Sequence, residues 1–350
     1  MPRRLLWNGA LVLFVLVLVC RPLAAEPELV IRFSTQAPPN GQQFQTMKRF
    51  KELVEAESRG KIRVDIYDRG KLFEDGKVAQ AVSDGKVEIG HVNLSRYAET
   101  VLIADTYYLP FLFNDVEVER ASRAPNGEIR KLIDDAILEH SGARVLWWIP
   151  EGSILLLSKA VSMADPERLV GKSVRISGPT IAETVRLCGG VPKDVAANRQ
   201  PIAYASGEVD VGMTSITAVM ARDLHKSMKV ITRTGHAISN FVVVINEKYW
   251  RSLTEDQRAL LQSAALIADR EAAQNLIEFE DAAFAQLEKL GVKIVALSRQ
   301  ELQLWRICSS DVLTDFVGKA GELGQKLIAA YARLRQDPCC NPIQARGSMN

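Results

Sequence analysis

The sequence predicts an α/β protein of about two domains, and three observations support this. The chain has 350 residues, which is about twice the length of a common domain. Up to Val92 the predicted elements follow the order β-α-β-α-β. A second series of strands and helices begins near Arg144 and ends in a long helical pattern. Alternating strands and helices favour parallel sheets that are covered by helices.

Apolar periodicity assigns the elements of the first half of the chain. Leu29–Ser34 and Lys61–Tyr67 are predicted strands, because apolar residues either dominate them or alternate with polar ones. The apolar residues of Gln42–Ala56 recur on one helical face, and Gly60 provides a stop signal. The further predictions are a helix at Asp75–Ser83, a strand at Val87–Val92, an aromatic run at Tyr107–Phe113 and mostly helix over Val116–His140.

The second half of the chain repeats these patterns and ends in helices. A turn at Pro150–Gly152 is predicted to separate two strands, Arg144–Ile149 and Ser153–Ser158. Thr254–Leu290 has a capping-box-like start and is expected to form one bent helix or two helices. The other predicted elements are strands at Ser173–Ile176, Lys229–Thr232, Phe241–Asn246 and Val292–Ile294, and helices at Thr180–Leu187 and Arg299–Leu334.

The two ends of the chain carry their own signals. Arg3 and Arg4 precede a long apolar run that ends at small residues, which predicts a signal peptide over residues 1–25 with cleavage after Ala25. An uncleaved anchor is the alternative. No later stretch is long and apolar enough to span a bilayer, so no direct membrane span is expected after cleavage. Residues 335–350 are expected to form a disordered tail.

The charge balance argues against nucleic acid as a partner. The chain has 44 Lys and Arg residues and 42 Asp and Glu residues. Residues 1–25 contain three of the basic residues and no acidic one, so the exported chain carries a net charge of about −1. A chain without a basic excess lacks the electrostatic attraction that nucleic acid binding requires.

The motifs of common enzyme classes are missing from the sequence. It has no G-x-S-x-G elbow and no G-x-G-x-x-G loop. Its four histidines lack metal-ligand spacing, so neither a metal nor a cofactor is expected. Cys188, Cys308, Cys339 and Cys340 show no disulfide framework, although an exported chain can pair some of them. The interpretation is a non-enzyme, with an exported enzyme on the same fold as a minor alternative.

Arg175 is the first candidate for ligand binding. It lies in the apolar strand Ser173–Ile176, just before a turn and a helix. A guanidinium stays charged at every working pH, and burying it without an anion is costly. Because open α/β folds bind small ligands at strand ends, we expect Arg175 to anchor an anion and the loop after Val211 to form the opposite wall. The alternative is a structural ion pair, for example with Glu183.

Five further residues are candidate ligand contacts, each with a plainer alternative. Trp148 precedes a hinge-like Pro and Gly pair, but core packing is common for tryptophan. Asn240 and Phe241 begin a returning strand, and the core is the alternative for the phenylalanine. His91 and Asn93 lie at the end of the third strand, where they reach a rim or serve an ordinary structural role.

Five segments in order resemble one family. They are RGKIRVDIYDRGKLFEDGKVAQAVSDGKVEIG, YYLPFLFND, LVGKSVRISGP, ASGEVDVGMTS and EKYWRSLTEDQRALLQSAA. Together they resemble the DctP-like solute-binding proteins of TRAP (tripartite ATP-independent periplasmic) transporters. The resemblance covers roughly residues 28–330.

The resemblance implies a two-lobe periplasmic-binding-protein fold with a cleft, crossing strands and a long spanning helix. Lobe I would comprise residues 26–148, with about 238–252 returning. Lobe II would comprise residues 149–237, with about 253–334 returning, including the long helix over 254–290. The lobes would close by hinge motion on a small organic anion, most often a carboxylate. Membrane permease subunits of the transporter would be the partner, and the periplasm the location.

The resemblance also implies site residues, with two departures. The signature arginine of the family falls on Arg175, and its ligand-contacting asparagine falls on Thr214. Many carboxylate-binding members carry a second arginine where this chain has Gly152–Leu155, and an aromatic residue near Ala197. The resemblance therefore implies a monocarboxylate or a ligand with a more apolar body. A sensory binding protein that hands its solute to a membrane receptor is the alternative function.

Overall fold

The computed structural model describes residues 26–337. The predicted signal peptide lies outside the described residues, as does residue 338 onward of the predicted tail. Residues 335 and 336 belong to the last helix, which corrects the expected start of the tail.

The described part of the chain contains ten strands. The predicted strands lie within three residues of their expected bounds, except that the two predicted at Arg144–Ile149 and Ser153–Ser158 form one continuous strand. The strands are β1 (Leu29–Ser34), β2 (Ile62–Tyr67), β3 (Ile89–Asn93), β4 (Ala143–Ser158), β5 (Ser173–Ile176), β6 (Val191–Asp194), β7 (Gly212–Ser215), β8 (Val230–Arg233), β9 (Ile238–Asn246) and β10 (Lys293–Ala296).

Eleven α-helices connect and cover these strands in residues 26–337. They are α1 (Gln42–Glu57), α2 (Val78–Ser83), α3 (Val116–Ser122), α4 (Glu128–Ser141), α5 (Pro179–Leu187), α6 (Gln200–Ser206), α7 (Ile216–Ala221), α8 (Glu247–Ser252), α9 (Glu255–Lys289), α10 (Arg299–Cys308) and α11 (Val312–Gln336). Helix α9 is a single helix of 35 residues, and its capping box forms as predicted between Thr254 and Gln257. Helix α11 is interrupted at Gly321, where φ is 57° and ψ is −130°.

One continuous sheet runs through both halves of the described chain. Its strand order is β10-β8-β4-β9-β3-β1-β2, and β7 also pairs with β4. Strand β1 pairs in parallel with β2 and with β3, as the opening β-α-β-α-β pattern predicts. The first half of β4 pairs with β9, and its second half pairs with β7 and β8, all antiparallel. Strand β4 therefore crosses from one half of the sheet to the other.

Two bodies pack on the two halves of this sheet. We call the part that contains β1, β2, β3 and β9 the first lobe. The second lobe contains β7, β8 and β10 and also the separate two-stranded sheet of β5 and β6. Helix α9 contributes Leu261 to the buried core of the first lobe and Leu287 to that of the second, so it spans both. Helix α11 packs in the first lobe through Phe316, whereas the sequence prediction assigned it to the second. The other expected boundaries between the lobes, after residue 148 and near residues 238 and 253, remain predictions.

The predicted turn at Pro150–Gly152 is wrong, because β4 continues through it with a bulge. Pro150 is opposite Asn240 and Gly152 is opposite Ser239, so Glu151 is the extra residue without a partner on β9. Gly152 has a φ of 93°, a conformation that glycine adopts without strain. A bulge bends its strand and turns the extra side chain in a new direction.

A disulfide joins Cys188 and Cys308 across 120 residues of sequence. It connects the end of α5 to the end of α10, and both cysteines contact the buried core around Trp305. The sequence left the pairing of these cysteines open, since residues so far apart are brought together only by packing.

Candidate functional site

A narrow cavity lies between the two lobes; the space in it that no atom occupies, including open solvent at its mouth, is about 310 Å³. The first lobe, the second lobe and the crossing strand β4 all contribute to its wall. The lining residues are Asp75, Asn93, Tyr108, Glu151, Ile154, Arg175, Ser177, Ala197, Gln200, Thr214, Arg222, Ser239 and Phe241. Polar side chains predominate, so the cavity is suited to a small polar ligand.

Arg175 projects from the end of β5 into this cavity. Its Nε donates to the Val195 carbonyl at 3.0 Å, and its Nη1 donates to the Met213 carbonyl at 2.9 Å. These carbonyls hold the guanidinium in place but do not neutralise it. No carboxylate lies within 4 Å of Arg175 in residues 26–337, so the expected alternative pair with Glu183 is not formed. The arrangement leaves a positioned cation that faces the cavity.

Three other predicted contacts line the cavity with Arg175. Thr214 comes from β7 and Phe241 from the middle of β9. Asn93 ends β3, and its side-chain amide donates to Tyr108 and to Ser239 at 3.3 Å each. The structure therefore brings together Asn93, Arg175, Thr214 and Phe241.

Trp148 does not reach the cavity, which corrects its expected place in the cleft. Its indole nitrogen donates to Asp134 at 2.9 Å, and its ring packs against Tyr107 in the core of the first lobe. Successive side chains of a strand point to opposite faces. Trp148 faces α4, on the side of β4 away from its neighbour Ile149.

His91 and Asn240 also lie outside the cavity wall, contrary to expectation. His91 is fully buried, accepts or donates a 3.0 Å hydrogen bond with Thr35, and stacks on Phe241 at 4.5 Å between ring centroids. His91 therefore packs against Phe241, which lines the cavity, without lining the cavity itself. Asn240 alternates with Phe241 along β9, so its buried amide lies on the opposite face of the sheet.

Glu151 is a lining residue that the sequence prediction missed. The bulge in β4 places it in the cavity, where only 5% of it is exposed. Its Oε2 accepts a hydrogen bond from the Ser239 hydroxyl at 2.7 Å. An acid within the apolar run WWIPEGSILLL was the available signal, but the sequence pattern suggested a turn there.

Arg222 and Gln200 were also missed, and both have buried side-chain atoms in the cavity. Arg222 follows α7, and its Nη2 has no hydrogen-bond partner within the described chain. Burial lowers the pKa of its guanidinium and Arg175 acts in the same direction, whereas Glu151 opposes this shift. Gln200 begins α6, and its Oε1 likewise has no partner in residues 26–337.

Asp75 also lines the cavity, although it was not among the predicted contacts. Its Oδ2 accepts a hydrogen bond from Arg96 at 2.8 Å, and Gln36 donates to its Oδ1. Burial would raise the pKa of Asp75, but Arg96 holds it below the ordinary value. Arg96 also pairs with Asp194 of the second lobe at 2.9 Å, so it ties the lobes together at the edge of the cavity.

A second contact between the lobes uses a buried acid. The Asp105 carboxylate of the first lobe accepts a 2.7 Å hydrogen bond from the backbone N–H of Thr180, in the first turn of α5. Gly178 packs so closely that an added Cβ would lie 2.7 Å from Asp105 Oδ1. Burial raises the pKa of Asp105 to about 7, although the Thr180 hydrogen bond and Arg96 act against the rise.

We expect Asp105→Asn to change how stability depends on pH. In the folded protein Asp105 has a pKa of about 7, whereas in the unfolded chain the value is about 4. The folded state thus holds the proton more tightly between these values, and this carboxyl makes the free energy of unfolding fall as pH rises. Relative to the parent, Asp105→Asn should gain about 2 kcal/mol between pH 5 and pH 7.

Urea unfolding of both proteins at several pH values measures this gain. The buried histidines His91 and His236, whose pKa values burial lowers to about 3 and about 4, shift stability in the opposite direction. They are present in both proteins, so they cancel in the difference. Parallel curves for the two proteins from pH 5 to pH 7 would show that Asp105 keeps an ordinary pKa.

The fold and the cavity together define a two-lobe binding protein with a polar site between its lobes. Residues 26–337 contain no cluster of His, Cys, Asp and Glu that could hold a metal ion. The helices of the described chain include none that is both long and apolar enough to cross a membrane.

Comparison with known proteins identifies the family. Residues 33–319 match the model of the bacterial extracellular solute-binding protein family 7 (DctP). The C4-dicarboxylate-binding periplasmic protein DctP of Rhodobacter capsulatus is 24% identical over 320 residues, which cover 88% of this chain and 91% of the relative. The chain belongs to this family of solute-binding proteins, which is not a family of enzymes.

Solved structures show the same two-lobe fold. A TRAP periplasmic solute-binding protein of Ralstonia eutropha with bound (S)-2-acetolactate has a TM-score of 0.79 at 24% identity, covering 87% of this chain and 99% of that protein. DctP7 of Bordetella pertussis, which binds pyroglutamic acid, has a TM-score of 0.81 at 21% identity with the same coverage.

Proposed function

We propose that this chain is the extracytoplasmic solute-binding subunit of a TRAP transporter, and that it captures a small organic acid between its lobes. The observation that carries the proposal is Arg175, a buried cation in the interlobe cavity whose hydrogen bonds within residues 26–337 go to carbonyl groups. A carboxylate in the cavity would supply the missing negative charge. Charge-assisted hydrogen bonds of this kind contribute roughly 1.5–3 kcal/mol each.

Capture would proceed by closure of the lobes around the acid. Asn93 and Phe241 line the cavity from the first lobe, and Arg175 and Thr214 line it from the second. A ligand that touches both walls only when the lobes are closed shifts the population toward the closed state. Contacts such as Arg96 to Asp194 would add to the stability of that state.

The relatives support an acid as the ligand. The Rhodobacter relative is named for C4-dicarboxylates, whereas the Ralstonia and Bordetella proteins hold acetolactate and pyroglutamate. All of these ligands carry a carboxylate, which is the group that Arg175 is placed to bind.

Export and delivery complete the proposal. The basic and apolar residues 1–25 would direct the chain to the periplasm. There the closed, loaded form would dock on the membrane permease subunits and release the acid.

Thermal unfolding of the chain from Glu26 onward, with a panel of organic acids and neutral metabolites, tests the binding step. Ligand at about 100 times its dissociation constant adds roughly 2.7 kcal/mol of stability. We expect carboxylates to raise the unfolding temperature by several degrees and their amides to leave it unchanged. Stabilisation by neutral compounds alone would contradict the proposal. Uptake by membranes that contain the permease subunits, with and without this chain, tests delivery.

A further inference from the structure

Besides Arg175, the cavity contains buried polar atoms without a hydrogen-bond partner among the described residues. The Arg222 Nη2 and the Gln200 Oε1 are buried and have no hydrogen-bond partner within residues 26–337. The Glu151 carboxylate also lines the cavity; its Oε2 accepts from Ser239 at 2.7 Å, and a carboxylate has further lone pairs that can accept from a ligand. The site thus offers guanidinium donors and two oxygen acceptors to one ligand.

These atoms indicate which hydrogen-bonding groups the ligand carries. A buried donor or acceptor without a partner is costly, and nearly all such groups in native proteins are satisfied. The guanidinium groups of Arg175 and Arg222 require an anionic acceptor. The oxygens of Glu151 and Gln200 require hydrogen-bond donors. A ligand that satisfies the site therefore carries both kinds of group.

The charges of the wall indicate how many carboxylates the ligand carries. Asp75 is already paired with Arg96 at 2.8 Å. Among the remaining charged lining residues, Arg175 and Arg222 face the single carboxylate of Glu151, which leaves one positive charge in excess. One carboxylate on the ligand balances this excess. A second carboxylate would add negative charge beside Glu151, and like charges in a confined site repel each other.

Apolar side chains, among them Ile154 and Phe241, form another part of the wall. Ile154 belongs to the β4 segment where the resemblance places the second arginine of many carboxylate-binding members, which this chain lacks. The second guanidinium of this site comes instead from Arg222, at the end of α7. The cavity therefore combines one anion-binding side with an apolar contact and an acidic acceptor.

We propose that the ligand is a small monocarboxylate that also carries a hydroxyl or amide N–H donor, and that Glu151 selects for this donor. The proposal rests on the proposed function, since it assumes that an organic acid occupies this cavity. Arg175 and Arg222 would bind the carboxylate. Glu151 and Gln200 would accept from the donor, and Glu151 would exclude a second carboxylate.

Titration calorimetry with matched acids tests this selection. The pairs are pyroglutamate against cyclopentanecarboxylate, and lactate against propionate, with succinate as the dicarboxylate. We expect the acid with the donor to bind at least tenfold more tightly than its partner in each pair that binds, because a hydrogen bond to a charged group is strong. Succinate should bind at least tenfold more weakly than the better acid.

Glu151→Gln removes the charge and keeps an oxygen that can accept from Ser239. We expect this variant to lose most of the preference for the donor and to bind succinate more tightly than the parent does. Glu167→Gln is the matched control, because Glu167 is exposed and lies outside the cavity wall. It should reproduce the affinities of the parent.

The outcomes separate the two proposals. If acids bind but each pair shows equal affinities, or if Glu151→Gln keeps the full preference, selection by Glu151 is wrong and acid capture stands. If succinate binds as tightly as the hydroxy or lactam acid, the monocarboxylate assignment is wrong. If no acid of the panel binds the parent, both proposals fail.

Discussion

Arg175→Gln is expected to weaken the binding of any organic acid at least 100-fold. The parent presents a guanidinium that two carbonyls hold at 2.9 and 3.0 Å, with its charge unmatched. Glutamine removes that charge from the cavity wall. A loss of two charge-assisted hydrogen bonds corresponds to roughly 3–6 kcal/mol, so a 100-fold loss is a lower bound. Titration calorimetry with the tightest acid of the panel measures it.

Two further variants separate ligand binding from folding. Arg175→Lys keeps the charge but cannot form a bidentate contact, so its affinity should lie between those of the parent and the glutamine variant. Arg186→Gln, on the exposed side of α5, removes a guanidinium that pairs with Glu183 at 2.8 Å and lies outside the cavity wall, so it should bind as the parent does. Binding of Arg175→Gln within a factor of two of the parent would exclude the anchor role.

Asp269→Asn is expected to destabilise the protein by about 3 kcal/mol. Asp269, on α9, accepts two hydrogen bonds from Arg130 of α4 at 3.0 Å each, and another from the backbone N–H of Trp148 at 2.9 Å. Both side chains of the ion pair are buried. Breaking a buried pair by removing one partner costs about 3–5 kcal/mol. The lower end of this range of free energies applies because Asp134, which lies 3.6 Å from Arg130, remains as a second carboxylate near its charge.

Urea unfolding of Asp269→Asn and of a neighbouring variant measures this effect. Glu271→Gln is the matched control, since Glu271 lies two residues further along α9 and pairs with Arg49 on the surface. Exposed pairs contribute about 0–1 kcal/mol, so this variant should stay close to the parent. Equal losses for the two variants would show that burial does not decide the strength of the Arg130 pair.

Local patterns were sufficient to predict most of the elements. The bounds of β1 and β5 match the predicted strands residue for residue, and α9 begins at its predicted capping box. The DctP-like resemblance is confirmed by the family match over residues 33–319. Such features depend on neighbouring residues or on recurring motifs, both of which a single sequence displays.

The site was predicted only in part, for reasons that lie in the packing. Trp148 on β4 and Asn240 on β9 point to the face of the sheet away from the cavity, whereas the next residue along each strand points to the other face. The hydrophobicity of a strand does not show which of its two faces meets the cleft. Glu151 lies in the cavity because of a bulge in β4, at a position where the sequence pattern predicted a turn. Arg222 had no local feature that pointed to a ligand.

The sequence by itself determined the α/β class, the family and the choice of Arg175 as the candidate anchor, because these follow from periodicity, from recurring motifs and from residues with one characteristic chemistry. Only the tertiary structure decided the composition of the cavity wall. It placed Glu151 and Arg222 beside Arg175, and it paired Cys188 with Cys308 across 120 residues. Contacts between distant residues depend on strand register, on a single bulged residue and on how two lobes meet, and none of these is encoded within a local window.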